Sequence, residues 1–157
     1  MTPGTEAASR QGARVFNRLR ANALAAITML VIEFGLGTGV NLYVALPTSD
    51  RGKSLLSAFG SALVGPVPLA IHALLGTLLL ITGASAVIRA SGLREPALIA
   101  ITGSSLLGIL TAWLAGAWFV GSMADGASMA MAGATAVSIL GYSFVLFLTP
   151  RSPWAPS

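Results

Sequence analysis

The sequence predicts an all-α, polytopic membrane protein: a bundle of four transmembrane helices with a short interfacial helix between helices one and two. Hydrophobic residues make up 55% of the 157 residues, and charged residues only 9%. Soluble domains carry about 25% charged residues, so lipid is the solvent that suits this composition. Four apolar stretches are each long enough to cross the roughly 30 Å hydrocarbon core of a bilayer as a helix.

The predicted elements follow one another in a simple order. Residues 1–20 are expected to form a basic, cytoplasmic N-terminal tail, either as a short helix at the headgroup surface or as a disordered segment. The membrane domain is predicted over residues 21–148, with spans at about 21–46, 66–90, 96–120 and 127–148. Residues 149–157 are expected to form a cytoplasmic C-terminal tail.

Prolines mark the predicted helix ends. Pro47 and Pro150 stop the first and fourth spans, because proline lacks the N–H that continues a helix. Pro66 and Pro96 open the second and third spans, where a first-turn N–H has no intrahelical partner. Residues 54–63 are too short to cross a membrane and place their leucines on one face, which predicts a helix lying on the membrane surface.

The basic residues predict the orientation of the bundle. Seven of them fall in the N-terminal tail, the second loop and the C-terminal tail: Arg10, Arg14, Arg18, Arg20, Arg89, Arg94 and Arg151. Arg51 and Lys53 lie in the first loop. Because cytoplasmic loops are enriched in basic residues, both termini are predicted to be cytoplasmic. The position of these basic residues beside the membrane accounts for the net charge of +4. The expected partner is therefore the lipid bilayer, and nucleic acid is not an expected partner.

Glu33 is the residue that most strongly suggests a site inside the membrane. It lies near the middle of the first span, where a carboxyl group must face protein or water. We expect either a proton- or cation-binding group or a neutral hydrogen-bonded link between helices. Counting helix rise from the span ends places four hydroxyls at a similar depth, those of Thr77, Ser105, Ser138 and Tyr142. At least one of them is predicted to bond Glu33, with Tyr142 or Ser138 first.

His72, the single histidine, is predicted to meet Asn41 near the outer end of the bundle. Its imidazole is expected either to link the first two spans as a neutral group, or to act as a proton relay toward Glu33 or a ligand of haem or copper. One histidine supplies half of a bis-histidine haem site, so haem requires a dimer, a methionine or an open position. Met131 is the thioether that a metal would share with His72.

Small and polar residues at helical spacing predict the inward faces. On the first span these are Glu33, Gly37 and Asn41, with Gly35 and Gly39 on a second side that would suit a neighbouring helix or a homodimer. The second span offers His72, Gly76, Gly83 and Ala90. The third offers Ala97, Ser104, Gly108, Thr111 and Ala115, and the fourth Ala127, Met131, Ala134, Ser138 and Gly141. Trp113 and Trp118 are assigned to aromatic belts at the membrane surface.

Several segments together resemble one known kind of protein. These are residues 33–37 (EFGLG), 41–47 (NLYVALP), 72–76 (HALLG) and 116–119 (GAWF), followed by Asp125, Ser128 and Met131. They resemble a family of uncharacterised small bacterial four-helix integral membrane proteins, in which an asparagine is expected at Ala115 and a serine at Trp118. The resemblance implies a four-span topology in the bacterial inner membrane, and it implies no activity.

The expected function is that of a binding or accessory protein. Phosphate-binding loops, zinc motifs and catalytic triads are absent from the sequence, which also contains no cysteine, so an enzyme is not expected. The predicted site is formed by Glu33, Asn41 and His72, with Ser138 and Tyr142 beside them. One alternative is a proton- or ion-coupled carrier that works as an oligomer with Glu33 titrating. Another is a haem-binding redox subunit using His72. A homodimer or another membrane subunit is the protein partner expected for such functions.

Overall fold

A computed structural model describes residues 3–45 and 50–149, with side chains described from Gln11 onward. This part of the chain forms five helices and no strand. The helices are α1 (Pro3–Tyr43), α2 (Leu55–Val64), α3 (Val67–Leu93), α4 (Pro96–Ser122) and α5 (Asp125–Leu148). Predictions that concern Pro47, residues 150–157 and the side chain of Arg10 lie outside what is described.

Four of these helices are long and apolar enough to cross a membrane: α3, α4, α5 and the part of α1 from Gln11 to Tyr43. The predicted all-α, multi-pass membrane bundle is therefore confirmed. α1 packs against α3 and α5, and α4 packs against the same two helices, which makes a ring of antiparallel neighbours. α2 covers one end of the ring, over α3 and α4. We call this the α2 end, and the opposite end, with Arg20, Arg89 and Arg94, the arginine end.

The first helix is longer than the sequence predicted. It runs without interruption from Pro3 to Tyr43, so the alternative of a disordered segment before residue 21 is wrong, and the helix expected there is continuous with the first span. Pro3 suits a first helical turn, and no further proline interrupts the chain before Pro47. Alanine and arginine, which are frequent between these prolines, are strong helix formers, so the basic segment continues the membrane helix.

The surface helix α2 forms almost where it was predicted. The hydroxyl of Ser54 accepts a hydrogen bond from the N–H of Ser57 at 3.4 Å and thereby caps its first turn. Ala58 and Ala62 are buried against the bundle, whereas Leu56 is exposed. Small residues thus bring α2 close to α3 and α4 while a large apolar side chain points outward, as expected for a helix lying at the surface of a bilayer.

α4 and α5 approach each other through small residues that we call the glycine–serine seam: Ser105 and Gly108 of α4 with Ser138 and Gly141 of α5. Gly108 lies against Ser138, and Gly141 lies against Ser105. The hydroxyl of Ser138 donates to the carbonyl of Ser105 at 3.0 Å across the seam. Close packing and interhelical hydrogen bonds of this kind hold helices together where lipid gives no hydrophobic driving force.

Polar contacts at the arginine end connect α1 to both of its neighbours. The guanidinium of Arg20 donates to the carbonyl of Leu146 at 2.9 Å and also to the carbonyl of Thr149. A cation is favourable there because these carbonyls form the negative end of the α5 dipole. The amide of Asn22 donates to the hydroxyl of Ser85 at 2.7 Å, which links α1 to α3.

Removing the Arg20 cap is expected to weaken the contact between α1 and α5. We expect Arg20→Gln to lower the free energy of unfolding by about 1 kcal/mol, below the range for a buried charged hydrogen bond because Arg20 is partly exposed. Unfolding by sodium dodecyl sulfate in mixed micelles, followed by circular dichroism, measures this change. Arg18→Gln removes the same charge from an exposed position, and an equal loss in that control would contradict the capping role.

Candidate intramembrane binding site

The carboxyl group of Glu33 on α1 and the imidazole of His72 on α3 meet inside the bundle. His72 Nδ1 lies 3.0 Å from Glu33 Oε1, which is ion-pair distance when the histidine is protonated. The ring N–H is not aligned for a straight hydrogen bond, and Glu33 Oε2 has no hydrogen-bond partner among the described residues. Only 16% of the His72 side chain and 11% of the Glu33 side chain are exposed. The pair is therefore buried, with hydrogen-bonding capacity left unused.

Two glycines make room for this pair. A Cβ atom at Gly37 of α1 would lie 3.0 Å from His72 Cε1, and one at Gly76 of α3 would lie 3.1 Å from Glu33 Oε1. Each helix thus offers a glycine to the polar side chain of the other. Because a larger residue at either position would push the helices apart, the two glycines help to set the register of α1 against α3.

A cavity of about 190 Å³ is lined by Glu33 and His72. Most of its remaining wall is apolar, and it includes the aromatic rings of Phe34, Phe59 and Trp113. The indole N–H of Trp113 donates to a threonine hydroxyl of α3 at 3.3 Å, and the ring centroids of Trp113 and Phe59 are 5.0 Å apart. Within the described part of the chain, Glu33 and His72 are the only ionisable side chains on the wall.

The cavity opens along the side of α1 that faces α5. Thr38 follows Arg20 by about five helical turns, so both side chains project from the same face of α1. Arg20 contacts α5, whereas Thr38 lines the cavity and is exposed. Phe34 and Asn41, on either side of Thr38, are also exposed. α1 and α5 therefore meet at the arginine end and diverge toward the α2 end, which leaves a lateral opening between them.

Three buried aliphatic side chains close the cavity toward the arginine end. Leu30, Leu79 and Ile109 come from α1, α3 and α4, and each is 2% exposed. We call these residues the floor of the cavity. Phe59 and Ala62 of α2 form part of the wall at the other end. The cavity is thus least covered at the lateral opening between α1 and α5.

Asn41 and His72, which the sequence predicted to meet, both line this cavity. Asn41 is exposed, and its side chain forms no hydrogen bond with His72 in the described part of the structure. The structure therefore brings together the predicted residues Glu33, His72 and Asn41 in one cavity wall. The direct contact, however, joins His72 to Glu33.

None of the four predicted hydroxyls bonds Glu33, so that prediction is wrong. The hydroxyls of Thr77 and Ser105 donate to carbonyls of their own helices. The Ser138 hydroxyl donates to the carbonyls of Ser105 and Ala134. The Tyr142 hydroxyl is buried near α3 without a hydrogen-bond partner among the described residues. Neither residue lines the cavity. The reason is the position of α1, which ends at Tyr43 rather than near residue 46, so Glu33 lies nearer the α2 end than the count along the span implied.

Trp113 is a cavity residue that sequence reasoning missed. Its assignment to an aromatic belt overlooked its position nine residues before the end of α4 at Ser122, about 13 Å inside the helix end. That distance was the signal that could have found it. Thr135, which the sequence placed in or near the layer of His72 and Asn41, is buried, lines the cavity, and donates its hydroxyl to the carbonyl of Met131 at 2.9 Å.

Met131, the predicted metal-ligand partner of His72, also lines the cavity, and its sulfur packs against Gly116. Within residues 3–45 and 50–149, no group of three or more histidine, aspartate or glutamate side chains is arranged to hold a metal ion. His72 is the single histidine of the sequence, so one chain offers a haem only one imidazole ligand. Haem and copper binding therefore stay predictions from the sequence.

Comparison with known proteins adds no assignment to this geometry. No known protein family matches the sequence, and neither a curated protein nor a solved structure matches it significantly.

Proposed function

We propose that this chain is a multi-pass protein of a bacterial inner membrane that binds a small amphipathic molecule between its helices. The observation that carries this proposal is the Glu33–His72 pair, 3.0 Å apart, in the wall of an otherwise apolar cavity. Ionisable groups at this depth are costly in a membrane and are usually functional. The Glu33 carboxyl group, one oxygen of which lacks a partner among the described residues, is the group expected to bind the polar group of the ligand.

The shape and chemistry of the cavity indicate the kind of ligand. Binding sites for small molecules are mostly apolar, with a few polar groups that fix orientation. A volume of about 190 Å³ is below the roughly 300–1,000 Å³ typical of sites for drug-sized ligands. The site therefore suits a small molecule or one end of a longer chain. The lateral opening allows a molecule dissolved in the bilayer to enter without passing through water.

Both termini are proposed to be cytoplasmic. Arg20, Arg89 and Arg94 lie at the arginine end of the bundle, whereas Arg51 and Lys53 lie at the α2 end. Basic residues concentrate on the cytoplasmic side of multi-pass proteins, and this distribution supports an arginine end in the cytoplasm. In that orientation the cavity occupies the outer half of the bilayer.

A proton- or ion-coupled carrier is the second candidate, because the cavity holds two adjacent groups that can exchange protons. Transport would require the floor of the cavity to open, since the bundle is closed by Leu30, Leu79 and Ile109. Binding alone requires no such rearrangement, so binding is the function we favour. The haem-binding alternative receives no comparable support from the arrangement of side chains.

Native mass spectrometry tests the binding function. The protein purified from its membrane in mild detergent is expected to carry a bound species above the 15.9 kDa mass of the chain. Gly116→Leu should remove that species, because Gly116 lines the cavity and a leucine there fills it. Gly133→Leu is the matched control, since the space around Gly133 is open. A species retained equally by both variants would show that the ligand does not occupy the cavity, and its absence from the unmodified protein would contradict the function.

A further inference from the structure

We infer that the ligand of this cavity is a small organic cation with an apolar body, such as a lipophilic amine, and that it competes with a proton on His72 for the Glu33 carboxylate. This inference rests on the binding function proposed above and specifies its ligand. It follows from three features of the cavity: its charge, its aromatic wall and its opening.

The charge of the cavity favours a cation. Among the described side chains of the wall, Glu33 is the only acidic one, and His72 is the only one that can become positive. The described side chains of α2, α4 and α5 that line the cavity include no ionisable group. Within this part of the chain an anion would therefore meet no lysine or arginine on the wall, whereas a cation would meet the Glu33 carboxylate.

One carboxylate can balance only one positive charge in an apolar setting, because an uncompensated buried charge is strongly unfavourable. With His72 protonated, the pair is neutral and Glu33 is already compensated at 3.0 Å. With His72 neutral, the carboxylate can take a cation from the ligand instead. Binding of the cation and protonation of His72 are therefore mutually exclusive.

The aromatic wall adds attraction for a cation. A methyl group on Gly76 would lie 3.1 Å from Glu33 Oε1 and 3.5 Å from Trp113 Cδ1. The carboxylate and the indole are therefore both close to the Cα atom of Gly76, which carries no side chain. Phe59 packs against the indole, and Phe34 also lines the cavity. Aromatic rings attract cations through their negative faces, and tryptophan does so best. A carboxylate beside aromatic rings thus favours a cation over a neutral molecule of the same shape.

The lateral opening between α1 and α5 selects for an apolar body. Its exposed margin includes Phe34 and Leu42, and the ligand would reach it from the hydrocarbon region of the bilayer. A lipophilic amine partitions into a bilayer and can cross this margin, whereas a metal ion or a strongly hydrated cation would have to lose its water first.

Calorimetry with two probes of one shape tests this inference. Benzyltrimethylammonium carries one positive charge, and neopentylbenzene is its uncharged isostere. We expect the cation to bind the purified protein in detergent at least tenfold more tightly than the isostere at pH 8. At pH 5 its affinity should be lower, because a proton taken up by the Glu33–His72 pair removes the negative charge that attracts the cation.

Three variants make the test specific. Glu33→Gln should lose the preference for the cation while still binding the isostere, which shows that the variant is folded. Glu95→Gln, which removes an exposed carboxyl outside the cavity, should keep the preference. His72→Gln should keep cation binding at pH 8, because the Glu33 carboxylate is still present, and its affinity should depend less on pH than that of the unmodified protein.

Equal affinity for the two probes would overturn the inference and leave the binding function standing. So would failure of the cation to bind a protein that retains its species in native mass spectrometry. If neither probe binds and no bound species is found, both the inference and the proposed function fail. A pH dependence that is unchanged in His72→Gln would contradict the competition with a proton.

Discussion

Gly108→Ala is expected to lower the free energy of unfolding by about 2–3 kcal/mol. A Cβ atom at this position would collide with the hydroxyl of Ser138 and lie 3.0 Å from the carbonyl oxygen of Ala134. The hydroxyl can rotate, but a backbone carbonyl cannot move without its helix. α4 and α5 must therefore separate, and the hydrogen bond from Ser138 to the carbonyl of Ser105 would be lengthened or lost.

Unfolding by sodium dodecyl sulfate in mixed micelles measures this loss, and two alanine variants calibrate it. Gly133→Ala meets open space and should change stability by less than about 0.5 kcal/mol. Gly141→Ala should have an intermediate effect, because the group in its way is the rotatable hydroxyl of Ser105. Equal losses at Gly108 and Gly133 would show that the glycine–serine seam does not depend on close approach.

His72→Ala is expected to lower the free energy of unfolding by about 3 kcal/mol, because it leaves the Glu33 carboxyl group buried without the imidazole that lies 3.0 Å from it. It also removes the ring that packs against Gly37 and so opens a void between α1 and α3.

The same unfolding assay provides the comparison. The double variant Glu33→Gln with His72→Gln should recover most of the lost stability, since it replaces the pair by two neutral amides of similar size. Asn41→Ala is the control, because Asn41 lines the same cavity but is exposed. A double variant that is no more stable than His72→Ala would show that the buried carboxyl group is not the cause of the loss.

The fold could be predicted because composition and proline positions constrain it strongly. The starts of α3 and α4 fall at or next to Pro66 and Pro96, as proline chemistry requires. The extent of α1 could not be predicted in the same way, because a basic helix and a basic tail have the same composition. Charge alone does not end a helix, and the segment before residue 21 lacks the proline that would do so.

The inward faces were predicted in part. On α3 the predicted face is correct, with Gly83 and Ala90 buried. On α4 it is wrong for Ala97, Ser104 and Thr111, which are exposed. Ser104 and the buried Ser105 are neighbours that project about 100° apart, and small residues are tolerated on either a lipid-facing or a packed surface. Their presence therefore did not decide which of the two faces meets α5.

The second glycine face of α1 remains without an assigned partner. A Cβ atom at Gly35 or Gly39 would have no neighbour within 4 Å, so the expected contact with another helix of the bundle is not formed by the described residues. A homodimer or contact with another membrane subunit through this face stays a prediction.

The sequence predicted which residues belong to the candidate site better than it predicted which of them touch. Glu33 and His72 were recognised because ionisable groups are rare within membrane spans. Their direct pairing was missed, because counting residues from span ends gives the height of a side chain only when the ends are known. Neighbouring helices can slide along each other without any change in sequence pattern. The register is set by local fits such as Gly37 against the His72 ring, which composition does not reveal.

The floor formed by Leu30, Leu79 and Ile109 makes the cavity a dead end. A molecule that enters between α1 and α5 has to leave through the same lateral opening, on the same side of the membrane's midplane. Beyond the floor lie Tyr142 and the glycine–serine seam, both buried. Passage to the other leaflet would thus have to break apart the part of the bundle in which helix contacts are tightest. Within the described residues, the cavity therefore opens on one side only and does not connect the two sides of the membrane.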